Sequence, residues 1–360
     1  MPSITAKAIA QKLGLSTASV SVALNGKPGV SPATRERILA AAAELGYPAS
    51  RAANADSKLL CFLIYVDQAV GIAQESTFYT FVLKGVETAA KELGYRILIR
   101  YYYASQNFDS QMSDIVGDLS GLLILGTDMT VARREEIGEL IGQVSLPFPI
   151  VILDNFIFSA YVDCVGNDNL YGAKSAMSYL IDQGHRRFGY LRARQRITNF
   201  DDRENGIRMA FGEHISDPAA GALEIIDVDI AADKAYSDIC SWLDRAVLLP
   251  DALFAENDVV AAAAIRAFNT RGIRVPQEIS VMGFDDIPVC EMVEPTITTV
   301  HSFKERLGVE AVELLHRRIA KGENVQAAQA SGVVKLSMST RLVERKSVAS
   351  KPEAPKTQPG

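Results

Sequence analysis

Ala18-Ser-Val-Ser-Val-Ala-Leu-Asn-Gly-Lys-Pro-Gly-Val-Ser-Pro-Ala-Thr-Arg-Glu-Arg-Ile-Leu-Ala-Ala-Ala-Ala-Glu-Leu-Gly-Tyr47 is the stretch on which the reading of this 360-residue chain turns. Its first helix starts where Thr17 and Ala18 lead into Val20, Ala23 and Leu24, which share one face. Upstream, Ile9, Ala10 and Leu13 share one face of another helix. Gly14 between them permits the left-handed backbone of a tight turn, and Ser16 can cap the helix that follows. Downstream, Ser31 reads as a cap, Pro32 as a first helical position, and Ile38, Leu39, Ala42 and Leu45 as the inward face of a third helix ending at Gly46. Two short helices joined by a tight turn and buttressed by a third form a helix-turn-helix, the architecture that seats a helix in the major groove of DNA. The spacing alone fits a three-helix module packing against protein about equally well.

Charge separates the two ends of the chain. Residues 1–60 carry seven Lys and Arg against three acids, a net of +4, while the remainder nets −10. A basic head supplies phosphate contacts, and an acidic body discourages loose association with nucleic acid. The whole-chain charge of −6 conceals this asymmetry.

The quoted string closely resembles, without gaps, the DNA-binding head of the lactose-repressor/galactose-repressor family. That resemblance implies a DNA-binding transcriptional regulator, with residues 1–47 as the head. It implies that Thr17, Ala18 and Val22 choose bases, and that Ser16, Ser19, Ser21, Asn25, Ser31 and Thr34 hold phosphates. Short hydroxyls and amides of the second kind position a helix without reading sequence. Many relatives carry Arg where this chain has Val22, so bidentate guanine readout gives way to apolar contact with a thymine methyl. Residues 48–60 match the family hinge, in which paired helices push a leucine into the minor groove and open a base step. Here ungapped alignment puts Asp56 at the leucine position, and alignment on Pro48 puts Ala55 there. Neither is a wedge. Leu59 and Leu60 follow, but both read as the start of the first core strand.

Beyond the hinge, apolar runs alternate with amphipathic stretches in the rhythm of βαβ units. Strands are predicted at Cys61–Val66, Tyr95–Ile99, Leu122–Leu125, Ile150–Leu153, Phe188–Leu191, Leu223–Val228, Ala252–Phe254 and Ile279–Gly283. Helices are predicted at Phe78–Leu93, Leu170–Gln183 and Val259–Arg271. So long a segment exceeds one core, which predicts a bilobal α/β body of two doubly wound parallel sheets with a ligand cleft between them. Ser76-Thr-Phe-Tyr-Thr-Phe-Val-Leu-Lys-Gly-Val-Glu87, Asp168-Asn-Leu-Tyr-Gly-Ala-Lys174, Gln183-Gly-His-Arg-Arg-Phe-Gly-Tyr190, Val281-Met-Gly-Phe-Asp-Asp-Ile287 and Thr296-Ile-Thr-Thr-Val-His-Ser-Phe-Lys-Glu-Arg-Leu-Gly308 are similar to landmarks of the same family, in order. The resemblance implies a periplasmic-binding-protein-like core over 61–345. Lobe 1 is expected at about 61–160 plus 290–325, and lobe 2 at about 161–289 plus 326–345. The tail 346–360, rich in Lys, Pro, Ser and Ala, is expected to be disordered.

Arg203, Asn257 and Asp285 match effector contacts of the family. A guanidinium fork, an amide and a carboxylate suit a polyhydroxylated ligand, most simply a sugar. Asn257 and Asp285 also fall at strand ends, which face the crevice, although either residue type also serves as a helix cap. Phe78 or Tyr79 can stack on a ring, which keeps a nucleobase as the second ligand class, and core packing accounts for either. Trp242 reads as core.

No Gly-x-Ser-x-Gly, Walker loop or Gly-x-Gly-x-x-Gly occurs, and neither the cysteines (61, 164, 240, 290) nor the histidines (185, 214, 301, 316) show metal spacing. The expectation is therefore a regulator, not an enzyme, with no cofactor. A secreted sugar-binding protein is the rival reading. Scattered cysteines, a basic head and no signal-peptide pattern favour a cytoplasmic protein. Its expected partners are double-stranded operator DNA, a small carbohydrate effector and a second copy in a homodimer, with no membrane. The tail lacks the leucine heptads that some relatives use to tetramerise.

Overall fold

The computed structural model describes residues 6–24, 29–44, 58–67, 77–106, 108–143, 146–214, 222–246 and 248–351. The head consists of α1 (Ala6–Leu13), α2 (Thr17–Leu24) and α3 (Pro32–Glu44). Gly14 adopts φ 66° in the turn between the first two, the left-handed conformation that glycine reaches without steric penalty. Ile9, Ala10, Val20, Ala23, Ile38, Ala41 and Ala42 form a small separate core. Leu45 and the hinge lie outside the described residues.

The body holds two parallel sheets. The first runs β11-β5-β4-β3-β1-β2, with β1 Leu59–Val66, β2 Arg96–Tyr103, β3 Gly121–Leu125, β4 Ile150–Leu153, β5 Asp163–Asn167 and β11 Lys335–Met338. Helices α4 (Thr77–Glu92) and α12 (Lys304–Ala320) pack together on one face of it. Their approach is close enough that a methyl group on Gly85 would overlap the Glu305 carbonyl. The second sheet runs β7-β6-β8-β9, with β6 Arg187–Ala193, β7 Ala222–Val228, β8 Ala252–Ala255 and β9 Ser280–Met282. It is flanked by α7 (Asn169–Asp182), α8 (Thr198–His214), α9 (Ala232–Leu243) and α10 (Asp258–Thr270). In the second lobe, and not in the first as expected for residues from 290 on, Cys290, Ile297 and Val300 join the core, and β10 (Thr299–His301) pairs antiparallel with β12 (Arg341–Val343). The chain crosses from lobe to lobe three times: after β5, after β10 and after β11.

The eight predicted strands and three predicted helices all have counterparts, and Trp242 is buried, its Nε1 donating to Glu224. Three further expectations are corrected. β5 and β11 belong to the first sheet, paired in parallel from Lys335 with Cys164 to Met338 with Asn167, so residues 161–167 and 335–338 are not part of lobe 2. Buried Asp163 had obscured β5, yet it is matched by Arg318, whose Nε and NH2 donate to its two oxygens at 2.7 and 2.9 Å. The tail is ordered through Lys351: Ser347 is fully buried, its carbonyl accepting from the Val281 N–H, and the Lys351 N–H reaches the Gln183 carbonyl. Backbone pairing with the edge of β9 fixes a segment whose composition reads as loose. Residues 352–360 lie outside the described part.

Candidate DNA-binding face and interlobe cleft

On α2, Val20 and Ala23 turn inward, which leaves Thr17, Ala18 and Ser21 exposed and Val22 half-buried on the outward side. The sequence-predicted base-reading residues thus share the solvent side of one helix. Ser16 caps that helix: its Oγ accepts the Ser19 N–H at 3.0 Å and lies 2.9 Å from the Ser19 Oγ. Ser31 does the same at α3, accepting from the Thr34 N–H at 3.2 Å with the two hydroxyls 2.8 Å apart. Four of the expected phosphate ligands are therefore arranged as two hydroxyl pairs at helix N-termini, where backbone N–H groups and the helix dipole favour an anion. Arg35 of α3 ties the helices together by donating to the Ala23 carbonyl at 3.4 Å. Asn25, Ala55 and Asp56 lie outside the described residues.

The second site lies where the strands of both lobes end. Phe78, Thr127, Asp154, Ile197, Asn199, Phe200, Arg203, Asn257 and Asp285 enclose a cleft of about 30 Å³. Arg203, on α8 and buried, donates from NH2 to Asp285 Oδ1 at 3.0 Å, from NH1 to the Glu256 carbonyl at 2.5 Å, and from Nε to Asn169 at 2.9 Å. Its Cζ lies 3.8 Å from the centre of the Phe284 ring. Asp285 (φ 105°) and Asp286 (φ 56°) both adopt left-handed backbone, a strained turn. Lys304 of α12 holds that turn, its Nζ donating to the carbonyls of Asp285, Asp286 and Ser302. Burial pushes the Lys304 amine below its ordinary pKa, against the pull of Asp285 and Asp286.

Facing this cluster from the first lobe, Asp154 (φ 57°) follows β4 directly. Its Oδ2 accepts from Thr127 at 2.8 Å and from the Asn199 amide at 3.2 Å. Burial raises its pKa to about 7, with the Thr127 hydrogen bond opposing and the Asp285 charge adding. Beneath the cleft, burial likewise pushes Glu256 upward although Arg196 pairs with it at 2.7 Å.

Residues 5–50 match the family described as bacterial regulatory proteins, lacI family, and residues 177–348 match the periplasmic binding protein-like domain. The HTH-type transcriptional repressor PurR of Vibrio vulnificus is 29% identical over 329 residues, 89% of this chain and 93% of its own length. The HTH-type transcriptional regulator CelR of Thermobifida fusca is 28% identical over 356 residues, covering 95% and 98%. Among solved structures, a transcriptional regulator CelR–cellobiose complex superposes with TM-score 0.65 at 27% identity, covering 96% of this chain and 99% of that one. A lac repressor dimer bound to operator and the anti-inducer ONPF gives TM-score 0.66 at 21% identity, over 96% and 99%. The chain belongs to the lactose-repressor/galactose-repressor family.

It is a DNA-binding transcriptional regulator with an effector-binding core of the periplasmic-binding-protein type. Arg203, Asn257 and Asp285, expected as effector contacts from the family resemblance, all line the cleft, as does Phe78, one of the two aromatics expected to stack on a ring. Asn257 does so with its acceptor committed, because its Oδ1 caps α10 by accepting the Val260 N–H at 2.9 Å. Tyr79 does not line it. It packs instead against the first-lobe core, beside Tyr101 of β2, because its neighbour Phe78 takes the inward position of the helix. Thr127, Asp154, Ile197, Asn199 and Phe200 are the cleft residues that sequence reasoning missed. For Asp154 the signal was present, since the strand-end rule that singled out Asn257 and Asp285 applies equally after β4.

Proposed function

We propose that the protein is a cytoplasmic repressor that binds operator DNA as a homodimer through α2 and is controlled by a small polyhydroxylated effector, a sugar, in the interlobe cleft. The observation that carries this reading is the convergence of Asp154, Thr127, Asn199, Arg203 and Asp285, from both lobes, on one cleft with Phe78 and Phe200 beside them. Carboxylates, an amide, a hydroxyl and a guanidinium donate and accept in fixed directions, which suits hydroxyl groups, and each lobe supplies one aromatic for a ring face. The same aromatics keep a nucleobase as the second reading. The CelR relative solved with cellobiose makes that disaccharide the first probe.

Support for a homodimer comes from exposed apolar side chains. Ile99 and Tyr101 are about 45% and 43% exposed on β2, the edge strand of the first sheet among the described residues, and Met292 is 79% exposed in the short helix Val289–Met292. Large apolar groups left in water on an open sheet edge mark an association surface.

Thermal-shift and calorimetric titration against cellobiose, other sugars and nucleobases, followed by gel shift on a roughly palindromic operator, tests the reading. A sugar that binds the parent, fails on Asp285→Ala and changes operator affinity supports it. Undiminished effector binding by Asp285→Ala overturns the cleft assignment. Operator binding that is insensitive to salt, or that a monomer performs, overturns the assignment of the head and the dimer.

A further inference from the structure

The cleft is spanned directly by protein groups. Asn199 of α8 donates to both the carbonyl and Oδ2 of Asp154, at 3.1 and 3.2 Å. Its neighbour Thr198 gives its N–H to the Met129 carbonyl at 3.1 Å and its hydroxyl oxygen accepts from the Asn155 amide at 2.7 Å. Asn155 is held in turn by donating to the Gly126 carbonyl. The N-terminus of α8 in the second lobe is thereby latched onto the loops that follow β3 and β4 in the first.

Asp154 sits inside this latch. From its own lobe it faces Thr127 and, from the end of β5, Asn167; from the other lobe it faces Asn199, Arg203 and Asp285. Arg203 is committed to Asp285, Asn169 and the Glu256 carbonyl, so among the described residues no cation pairs with Asp154 directly, and the Arg203 charge opposes its protonation only from a distance. Closure thus removes a carboxyl from water, gives it only neutral hydrogen-bond partners, and brings it toward a second carboxylate. Opening moves the Asp285 charge away and returns water to it.

We propose that closing the two lobes takes up a proton at Asp154, so that the latch engages more readily as pH falls. The pKa of about 7 in the closed arrangement, against an ordinary carboxylate value of 3.8, agrees in direction, with burial as its largest cause. The sign follows from linkage. A group whose pKa is higher in the closed state favours that state below the closed-state pKa, and the preference is lost as pH rises through it. Between the two values the closing equilibrium changes by up to about ten-fold per pH unit. An effector that needs closure then binds more tightly at lower pH. That consequence rests on the cleft being the effector site; the coupling itself does not.

The test uses the full chain without effector. Fluorescence energy transfer between labels at exposed Glu139 and Ser237, one in each lobe, reports closure from pH 8 to pH 5. The expected result is progressive closure as pH falls in the parent, and a closed, pH-independent distance in Asp154→Asn. Thr127→Val removes a donor from the carboxylate and should move the midpoint to higher pH. Asn155→Ala loosens the latch and should favour the open form at every pH while the response to pH remains. A flat parent profile, or an Asp154→Asn variant that still responds, overturns the proposal. Because no ligand is present, either failure leaves the effector reading to be judged by its own titration.

Discussion

The Arg203 guanidinium and the Phe284 ring lie 3.8 Å apart, and the same guanidinium donates to Asp285, the residue that follows Phe284. The ring and the carboxylate fix the plane and the direction of the fork, so its geometry is set before any ligand arrives. Lysine has the charge but neither the plane nor the fork. Arg203→Lys should therefore lower effector affinity by at least about ten-fold while leaving ligand-free operator binding within about two-fold. Calorimetry and gel shift on one preparation measure both. Equal effector affinity would show that charge alone matters there.

On α2, Val22 stands half-buried beside exposed Ala18 and Ser21. Val22→Arg introduces a fork able to pair with guanine, so base preference in each operator half-site should change while binding persists. Selection from a randomised operator pool reads the outcome. An unchanged consensus would remove Val22 from the base-reading set.

His185 is fully buried between Asp251, Lys351 and Arg186, and burial lowers its pKa from 6.5 to about 4. A histidine held neutral in the fold is protonated first in the unfolded chain. Its contribution is present above pH 6.5 and is lost as pH falls toward 4, by up to about 3 kcal/mol. Buried Asp154 and Asp258, both raised to about 7, act in the opposite sense. The informative quantity is accordingly the difference between parent and His185→Leu in urea unfolding. The variant should gain on the parent as pH drops from 7 to 5, and a constant difference would disprove the assignment.

Ser347 connects the tail to the second sheet: its Oγ donates to the Val281 carbonyl at 2.5 Å and accepts from the Thr298 N–H at 2.8 Å. Ser347→Ala leaves a buried N–H without that partner and should cost about 1–3 kcal/mol. Guanidinium unfolding followed by the near-ultraviolet signal of Trp242 checks this. A loss below about 0.5 kcal/mol would mean that water replaces the hydroxyl.

The head was almost fully legible because its determinants are local: Gly14 for the turn, Ser16 and Ser31 for the caps, and apolar spacing for three helix faces. The body's strands were legible where both faces are buried, as in β1 and β3, since such strands are continuous apolar runs. Asp163-Cys-Val-Gly-Asn167 escaped because the partner of its buried acid, Arg318, lies more than 150 residues away. Phe78 and Tyr79 are indistinguishable by chemistry, and only a helical phase of roughly 100° per residue assigns one to the cleft and the other to the core. Asn199 carries no local signal, because its role exists only once the second lobe meets the first.

The three crossings between the lobes make each lobe discontinuous in sequence. A gene fragment ending after β5 encodes most of one lobe but omits β11, its far edge strand, and the packing helix α12. Neither half can be excised, duplicated or exchanged as a contiguous module. The head, by contrast, has its own core within 47 residues and joins the body through a single segment. Recombination can therefore regraft the DNA-binding unit onto another body, while the body itself is inherited whole.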